Sequence, residues 1–258
     1  MADPDFDVLI LGAGSGGYAC ALRAAQLGLS VGLVEKDKVG GTCLHVGCIP
    51  TKALLHAAEV ADQTRESEQF GVRASLEGID MAAVNSYKDG VVSRLFKGLT
   101  GLVKGRGITV IEGAGRLTGP REVTVDARAW TGRHVVLASG SYARSLPGLE
   151  VDGERVITSE RALALDAVPT SVVVLGGGVI GCEFASVWRS FGAEVTIVEA
   201  LPRLVPPEDE ASSKVLERAF RKRGIRFRTN TPFESVTRTD TGVAVTVAGG
   251  DVLAAELL

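Results

Sequence analysis

Residues 7–17 read DVLILGAGSGG, and residues 171–181 read SVVVLGGGVIG. Each stretch is a continuous apolar run followed at once by a glycine turn. Continuous apolar runs are typical of parallel strands that are buried on both faces. In a strand–turn–helix unit of this kind, the first glycine permits the tight turn and the second lets the backbone approach a pyrophosphate. The third lets the helix pack closely on the strand.

An acidic residue ends the second strand of each copy. Glu35 follows Gly12, and Glu199 follows Gly176, at the same interval of 23 residues. A carboxylate at this place accepts hydrogen bonds from the ribose hydroxyls of a dinucleotide. One glycine motif is weak evidence, whereas two copies with equal spacing are strong evidence. We therefore predict an α/β fold with two Rossmann-like dinucleotide-binding domains that have parallel sheets.

A pair of cysteines lies a short way past the first turn, in residues 40–52, GGTCLHVGCIPTK. On a regular α-helix, residues five apart have Cα atoms about 8.6 Å apart, whereas a disulfide needs roughly 4.4–6.8 Å. If Cys43 and Cys48 are bridged, the backbone between them must be irregular, and Gly47 gives it that freedom. Pro50 is tolerated in a first helical turn, so we place a helix start close to Cys48. The helix dipole there favours the thiolate.

A close cysteine pair in a chain of this composition indicates redox or metal chemistry more often than inert buried thiols. A metal site is the weaker alternative, because no second cysteine or histidine pair lies within normal zinc spacing. We predict no bound metal. The other two cysteines, Cys20 and Cys182, lie far from the pair, so the four together do not make a secreted disulfide framework.

Composition excludes several function classes. The 258 residues have a net charge of −3 and no basic run, which argues against nucleic acid or an anionic membrane as partner. No stretch of about eighteen apolar residues occurs, so no membrane span is expected. The acidic N-terminus leads directly into a strand and is not typical of a signal peptide. We therefore expect a cytoplasmic protein. Pro147 and Gly148 mark the predicted domain boundary.

These motifs together resemble those of the flavoprotein disulfide reductases, the pyridine nucleotide-disulfide oxidoreductases. The matching stretches are residues 12–17, 40–52, 138–147 and 176–183. The resemblance implies that the first turn binds FAD and the second binds NAD. Residues 1–147 would then be the first segment of an FAD-binding domain. Residues 148–258 would be an NAD-binding domain, inserted in the first and incomplete at its C-terminus.

The resemblance also implies a role for individual residues. Cys43 would exchange with substrate, and Cys48 would lie under the flavin. Lys52 would pair with Glu183 beside the flavin, where a cation steadies negative charge on the reduced ring. Without the resemblance, both are ordinary helix residues. The residues implied for FAD are Gly12, Gly14, Gly17, Glu35, Lys36, Gly41, Thr42, Lys52, Gly115, Ser139, Gly140 and Ser141, and those for NAD are Gly176, Gly178, Val179, Ile180, Gly181 and Glu199.

Some positions bear on specificity. His45 stands where the family most often has Asn, and we interpret it as a tolerated variant. Ser139 stands where Thr is usual and keeps the hydroxyl. Glu199 favours NAD over NADP, because a carboxylate repels a 2′-phosphate. Arg203 is a counter-signal, which we interpret as a surface residue.

The implied reaction passes two electrons from dihydrolipoamide through the Cys43–Cys48 disulfide and FAD to NAD. The implied setting is a homodimer that serves the lipoyl domain of a 2-oxoacid dehydrogenase complex. Family members add a C-terminal interface domain with a catalytic His–Glu pair, so the chain resembles an N-terminal portion without that domain. We therefore expect it to be inactive alone. The alternatives are a nucleotide-binding fragment without turnover, and a relative that reduces mercuric ion or a glutathione-like disulfide.

Overall fold

The computed structural model describes residues 3–258, which form two compact units. The first unit comprises the described residues up to Pro50 together with Asp89–Tyr142, and the second comprises Thr51–Lys88 and Ala143–Leu258. The division near residue 142 lies close to the predicted boundary at 147. Residues 51–88 differ from the prediction, because they join the second unit.

Helices and strands alternate in the two strand–turn–helix–strand units. In chain order they are β1 (Phe6–Leu11), α1 (Ser15–Gln26), β2 (Val31–Glu35), α2 (Gly41–His45), α3 (Cys48–Arg65), α4 (Met81–Gly105), β3 (Thr109–Glu112), β4 (Gly115–Gly119), β5 (Glu122–Val125), β6 (Arg128–Leu137), α5 (Ser159–Ala162), β7 (Ser171–Leu175), α6 (Val179–Phe191), β8 (Glu194–Val198), α7 (Glu210–Lys222), β9 (Arg226–Arg228), β10 (Phe233–Arg238), β11 (Val243–Val247) and β12 (Val252–Ala255). A 3-10 turn lies at Ser67–Phe70.

The first unit is built on a six-stranded sheet with the order β3-β2-β1-β6-β5-β4. Strands β3, β2, β1 and β6 run parallel, and β5 and β4 extend the sheet antiparallel. The central strand β1 is apolar on both faces, as its continuous run predicts. Ile10 packs with Ala21 of α1 and Val103 of α4, whereas Leu9 packs with Val123 of β5. The mixed sheet thus contains the predicted parallel core.

The second unit contains two smaller sheets. Strands β7, β8 and β9 form a parallel sheet, and β10, β11 and β12 form an antiparallel one. Helix α6 connects β7 to β8 and buries Trp188 almost completely. Val245 of the antiparallel sheet shares a core with Val173 and Val198 of the parallel sheet. The second predicted strand–turn–helix–strand unit is therefore present.

An ion pair and a hydrogen bond of side chains explain why residues 51–88 belong to the second unit. Asp62 on α3 pairs with Arg223 just past α7, with 3.1 Å between Oδ2 and the guanidinium nitrogen. Lys88 on α4 is buried and donates from Nζ to the carbonyl oxygen of Leu163 at 2.8 Å. A buried ammonium needs such partners, so these contacts explain why α3 from residue 51 onward and the start of α4 up to Lys88 belong to the second unit.

Within residues 3–258, no helix combines the length and the apolar character that crossing a bilayer requires.

Candidate functional site

The first glycine turn meets the cysteine segment backbone to backbone. Gly41 has a φ of +59°, and a Cβ built on it would lie 2.6 Å from the Cα of Gly14. Any side chain at Gly41 would therefore separate the two stretches. A Cβ on Gly12 would overlap the carbonyl of Ala138, so the segment after β6 also adjoins this turn. The structure thus brings three of the predicted FAD stretches together.

The strand-end glutamates make equivalent bonds in the two copies. Oε2 of Glu35 accepts the backbone N–H of Ala13 at 2.8 Å, and Oε2 of Glu199 accepts that of Gly177 at 2.6 Å. In both copies the other carboxylate oxygen, Oε1, accepts the backbone N–H of the residue two positions after the glutamate. Each carboxylate oxygen has a further lone pair. Both carboxylates are therefore fixed at the turn and can still accept a ribose hydroxyl.

The second glycine turn lines a cavity of about 960 Å³ within the second unit, together with Val179, Ile180 and Glu199. A Cβ on Gly178 would meet no atom within 4 Å, so the backbone there faces open space. A Cβ on Gly181 would instead overlap a carbonyl oxygen of the turn. Space beside Gly178 and tight packing at Gly181 are the two conditions that a pyrophosphate at this helix N-terminus requires. The predicted NAD residues fit that group.

The backbone between the two cysteines is irregular, as predicted. Helix α2 ends before Val46, whose φ and ψ are −138° and 24°, and α3 begins at Cys48. A Cβ on Gly47 would lie 2.8 Å from the carbonyl oxygen of Thr42 and 3.3 Å from the Cα of Cys43. Gly47 does not have a positive φ. The glycine is therefore required by close packing and not, as expected, by backbone freedom.

The two cysteines lie on either side of this irregular stretch. Cys43 is half-buried and Cys48 is exposed at the first position of α3. A redox couple alternates between dithiol and disulfide by exchange with another thiol pair. The Cys43–Cys48 disulfide and its redox role stay predictions.

The other two cysteines have different surroundings. Burial raises the pKa of the Cys182 thiol to about 11, and the charges of Glu199 and Glu183 add to this. Its Sγ–H donates to the carbonyl oxygen of Gly177 at 3.3 Å. Cys182 is therefore a neutral hydrogen-bond donor that supports the second turn, a role that its isolated position in the sequence does not indicate. Cys20 is half-buried on α1.

The predicted pairing of Lys52 with Glu183 is present in the second unit. Nζ of Lys52 on α3 bonds Oε1 of Glu183 on α6. The Lys52 side chain is 60% exposed and that of Glu183 is 22% exposed. The structure shows the ion pair, and the role beside a flavin stays a prediction.

The remaining predicted FAD residues of the first unit differ in burial. Gly17 is buried and Gly115, at the start of β4, is half-buried, whereas the exposed residues are Lys36, Thr42, Ser139, Gly140 and Ser141.

Arg203 differs from the surface interpretation. Its side chain is half-buried, and one guanidinium nitrogen donates to the carbonyl oxygens of Pro206 at 2.8 Å and Glu208 at 3.3 Å. The guanidinium therefore binds its own loop.

Residues 6–258 match the protein-family model described as "Pyridine nucleotide-disulphide oxidoreductase". The chain therefore belongs to the pyridine nucleotide-disulfide oxidoreductase family. Among curated relatives, it is 43% identical to dihydrolipoyl dehydrogenase of Bacillus subtilis over 93% of this chain and 54% of that protein. It is 41% identical to the mitochondrial dihydrolipoyl dehydrogenase of Pisum sativum over 95% of this chain and 51% of the relative. The chain spans about half the length of the curated relatives it matches.

Solved structures show the same similarity. LpdA from Mycobacterium tuberculosis has a TM-score of 0.88 and 28% identity over 97% of this chain and 57% of that one. The flavoprotein disulfide reductase RclA from Escherichia coli has a TM-score of 0.80 and 27% identity over 97% of this chain and 55% of that one. These findings confirm the resemblance that the motifs indicate. The expectation of FAD and NAD agrees with the words flavoprotein and pyridine nucleotide in these names.

Proposed function

We propose that this chain is the nucleotide-binding and thiol-bearing portion of an FAD-dependent enzyme that oxidises dihydrolipoamide with NAD. The observation that carries the proposal is the position of the cysteine pair. Cys43 and Cys48 share one compact unit with the first glycine turn, and Gly41 packs on Gly14 only two residues before Cys43. The names of the relatives at 41% and 43% identity support the substrate.

The two glycine turns provide the two cofactor sites. The first turn with Glu35 would hold FAD, and the second turn with Glu199 would hold NAD. When bound, these cofactors supply a two-electron route from the protein thiols to a nicotinamide. Gly178 faces open space and offers backbone N–H donors at the start of α6 to a pyrophosphate.

The thiol pair carries out the exchange with substrate. In the oxidised form, one thiolate of dihydrolipoamide attacks Sγ of Cys43, the Cys43–Cys48 bond breaks, and Cys48 leaves as a thiolate. The second substrate thiolate then attacks the substrate sulfur of the mixed disulfide. Lipoamide leaves with its own ring disulfide, and Cys43 is released as a thiolate. Two electrons now reside on the protein pair.

The start of α3 stabilises this product. Cys48 is the first residue of an 18-residue helix, so its thiolate lies at the positive end of the helix dipole. We assign Lys52 the role of the cation that steadies negative charge on a reduced flavin, and Glu183 the role of orienting it.

Glu199 supports NAD against the alternatives that reduce mercuric ion or a glutathione-like disulfide, whose usual cofactor is NADP. The carboxylate is buried and bonded to two backbone N–H groups. Arg203 is bonded to its own loop. A 2′-phosphate would therefore meet a fixed anion, while the nearby cation is already engaged.

The family resemblance also implies groups and partners for turnover beyond the cysteine pair. In the family, the acid–base His–Glu pair belongs to the interface domain, and we assign to the parent protein a homodimer that acts on the lipoyl domain of a 2-oxoacid dehydrogenase complex. We assign it to the cytoplasm, because a reducing compartment keeps such a pair available for exchange. The 258 residues should exchange thiols with dihydrolipoamide through Cys43 and Cys48.

Thiol counting tests the proposal. The chain is oxidised with glutathione disulfide, desalted and treated anaerobically with dihydrolipoamide, and newly formed protein thiols are counted. One reduced disulfide should release two thiols per chain in the wild type and in the control Cys20→Ser, but at most one in Cys48→Ser, where Cys43 can form only a mixed disulfide with glutathione. An absorption spectrum after incubation with FAD shows whether flavin is retained. No gain of thiols in the wild type, or an equal gain in Cys48→Ser, would make the proposal wrong.

A further inference from the structure

His45 lies between the two cysteines and is held by two contacts within the first unit. Its Nε2 is 2.9 Å from the carbonyl oxygen of Val39. Its ring meets that of Phe96 on α4 edge-on, with 5.1 Å between the ring centroids. A carbonyl oxygen can only accept, so Nε2 carries the proton and donates. The ring is therefore fixed from two directions.

The acceptor of this bond belongs to a segment that is anchored to the first glycine turn. Val39 is buried, and the next residue, Gly40, donates its N–H to the carbonyl oxygen of Ala13 at 2.8 Å. The side chain of His45 thus connects the end of α2 to backbone that is bonded to the turn. The two cysteines flank the point at which that connection is made.

Helix α2 has only five residues, from Gly41 to His45. Helices of this length are not stable on their own, and their ends fray without an anchor. Cys43 lies inside α2, and Cys48 follows two irregular residues. The separation of the two sulfurs therefore depends on what holds the last turn of α2.

We propose that His45 is a positioning residue for the cysteine pair. By donating from Nε2 to Val39, it fixes the end of α2 and keeps Cys43 within bridging reach of Cys48. The inference rests on the proposed function, since it concerns the redox use of the pair. It also gives a physical reason for the histidine, which the motif alone presents as a tolerated variant.

The test distinguishes the effect of the hydrogen bond donated by His45 from the effect of its ring contact with Phe96. His45→Phe keeps a ring against Phe96 and removes the donor, whereas His45→Gln keeps an N–H donor and removes the ring. Phe96→Leu is the matched control, because it removes the ring contact and leaves the donor of His45 in place. If His45→Phe fails to fold, His45→Leu serves as a second variant without the donor.

The measurement is the equilibrium in which protein dithiol and glutathione disulfide give protein disulfide and two glutathione thiols. Alkylation followed by peptide mass spectrometry gives the oxidised fraction of Cys43 and Cys48, with Cys20 as the reference within the chain. His45→Phe should lower the equilibrium constant by about threefold to tenfold, the range expected for one intramolecular hydrogen bond. His45→Gln and Phe96→Leu should stay within about twofold of the wild type.

An unchanged constant in His45→Phe would overturn the inference, and so would an equal loss in His45→Gln. A purely structural role would lower the urea midpoint of the donor-free variants and leave the equilibrium constant of the folded protein unchanged, which would also overturn it. In these cases the wild-type pair still oxidises, so the proposed function stands. A wild-type pair that forms no disulfide at any glutathione ratio would overturn both.

Discussion

Asp152 is held by an unusual number of donors for a carboxylate near the surface. Its Oδ1 accepts the backbone N–H groups of Glu154 at 2.6 Å, Arg155 at 2.7 Å and Val156 at 3.0 Å. Its Oδ2 accepts Nε of Arg238 on β10 at 2.7 Å. Burial by itself would raise the pKa of Asp152, but these bonds outweigh it and lower the pKa from 3.8 to about 2. The ionised form is therefore stabilised by the fold.

This shift gives a magnitude and a direction for the stability of the second unit. At about 1.4 kcal/mol per pKa unit, the ionised carboxylate contributes about 2 kcal/mol. The side chain is only 13% exposed, so solvent screening does not remove this contribution. Because the folded pKa is lowered, the stabilisation is complete above the unfolded value of 3.8 and is lost as the pH falls through about 2.

We expect Asp152→Ala to lower the free energy of unfolding by about 2 kcal/mol at pH 7, and by about half of that at pH 3. Urea unfolding followed by tryptophan fluorescence measures it. Trp188 lies in the second unit and Trp130 in the first, so a Trp130→Phe background makes the signal report the unit that contains Asp152.

The matched control is Asp251→Ala. Asp251 also pairs with an arginine, Arg228, but its side chain is 68% exposed, and such pairs contribute less than about 1 kcal/mol. A loss in Asp152→Ala that is the same at pH 7 and pH 3, or no larger than that of the control, would refute the reasoning.

Two further predictions concern the second glycine turn. The Cβ of Gly178→Ala would occupy open space beside the turn, so the variant should unfold at the wild-type urea concentration. Because that space is where the pyrophosphate would lie, titration calorimetry should show about tenfold weaker NAD binding. Gly181→Ala should lose about 2 kcal/mol of stability because its Cβ overlaps backbone, and equal midpoints for the two variants would contradict this account. Cys182, whose pKa burial raises to about 11, should resist iodoacetamide at pH 8 until the chain is unfolded, as measured by peptide mass spectrometry. Rapid labelling of the native chain would show that the thiol is not buried.

Much of the candidate site could be predicted because it depends on local sequence. A glycine turn after an apolar strand needs only neighbouring residues to define it, and both turns are present with Glu35 and Glu199 bonded back to them. The helix start at Cys48 follows from Pro50, which is also a local feature.

Other features could not be predicted, because they depend on residues distant in sequence or on the path of a loop. The membership of residues 51–88 in the second unit depends on pairs such as Asp62 with Arg223, which no local pattern indicates. The engagement of Arg203 by its own loop requires the three-dimensional path of that loop.

The equivalent bonds of Glu35 and Glu199 mean that the acceptors for a ribose are preorganised before any nucleotide arrives. Neither carboxylate has to be immobilised on binding, so the entropic cost of association is reduced at both places. The backbone hydrogen bonds that hold the two carboxylates are equivalent in the two copies. Discrimination between the two dinucleotides therefore depends on the side chains that differ. At the helix start after each turn, Ser15 and Gly16 of the first copy correspond to Val179 and Ile180 of the second.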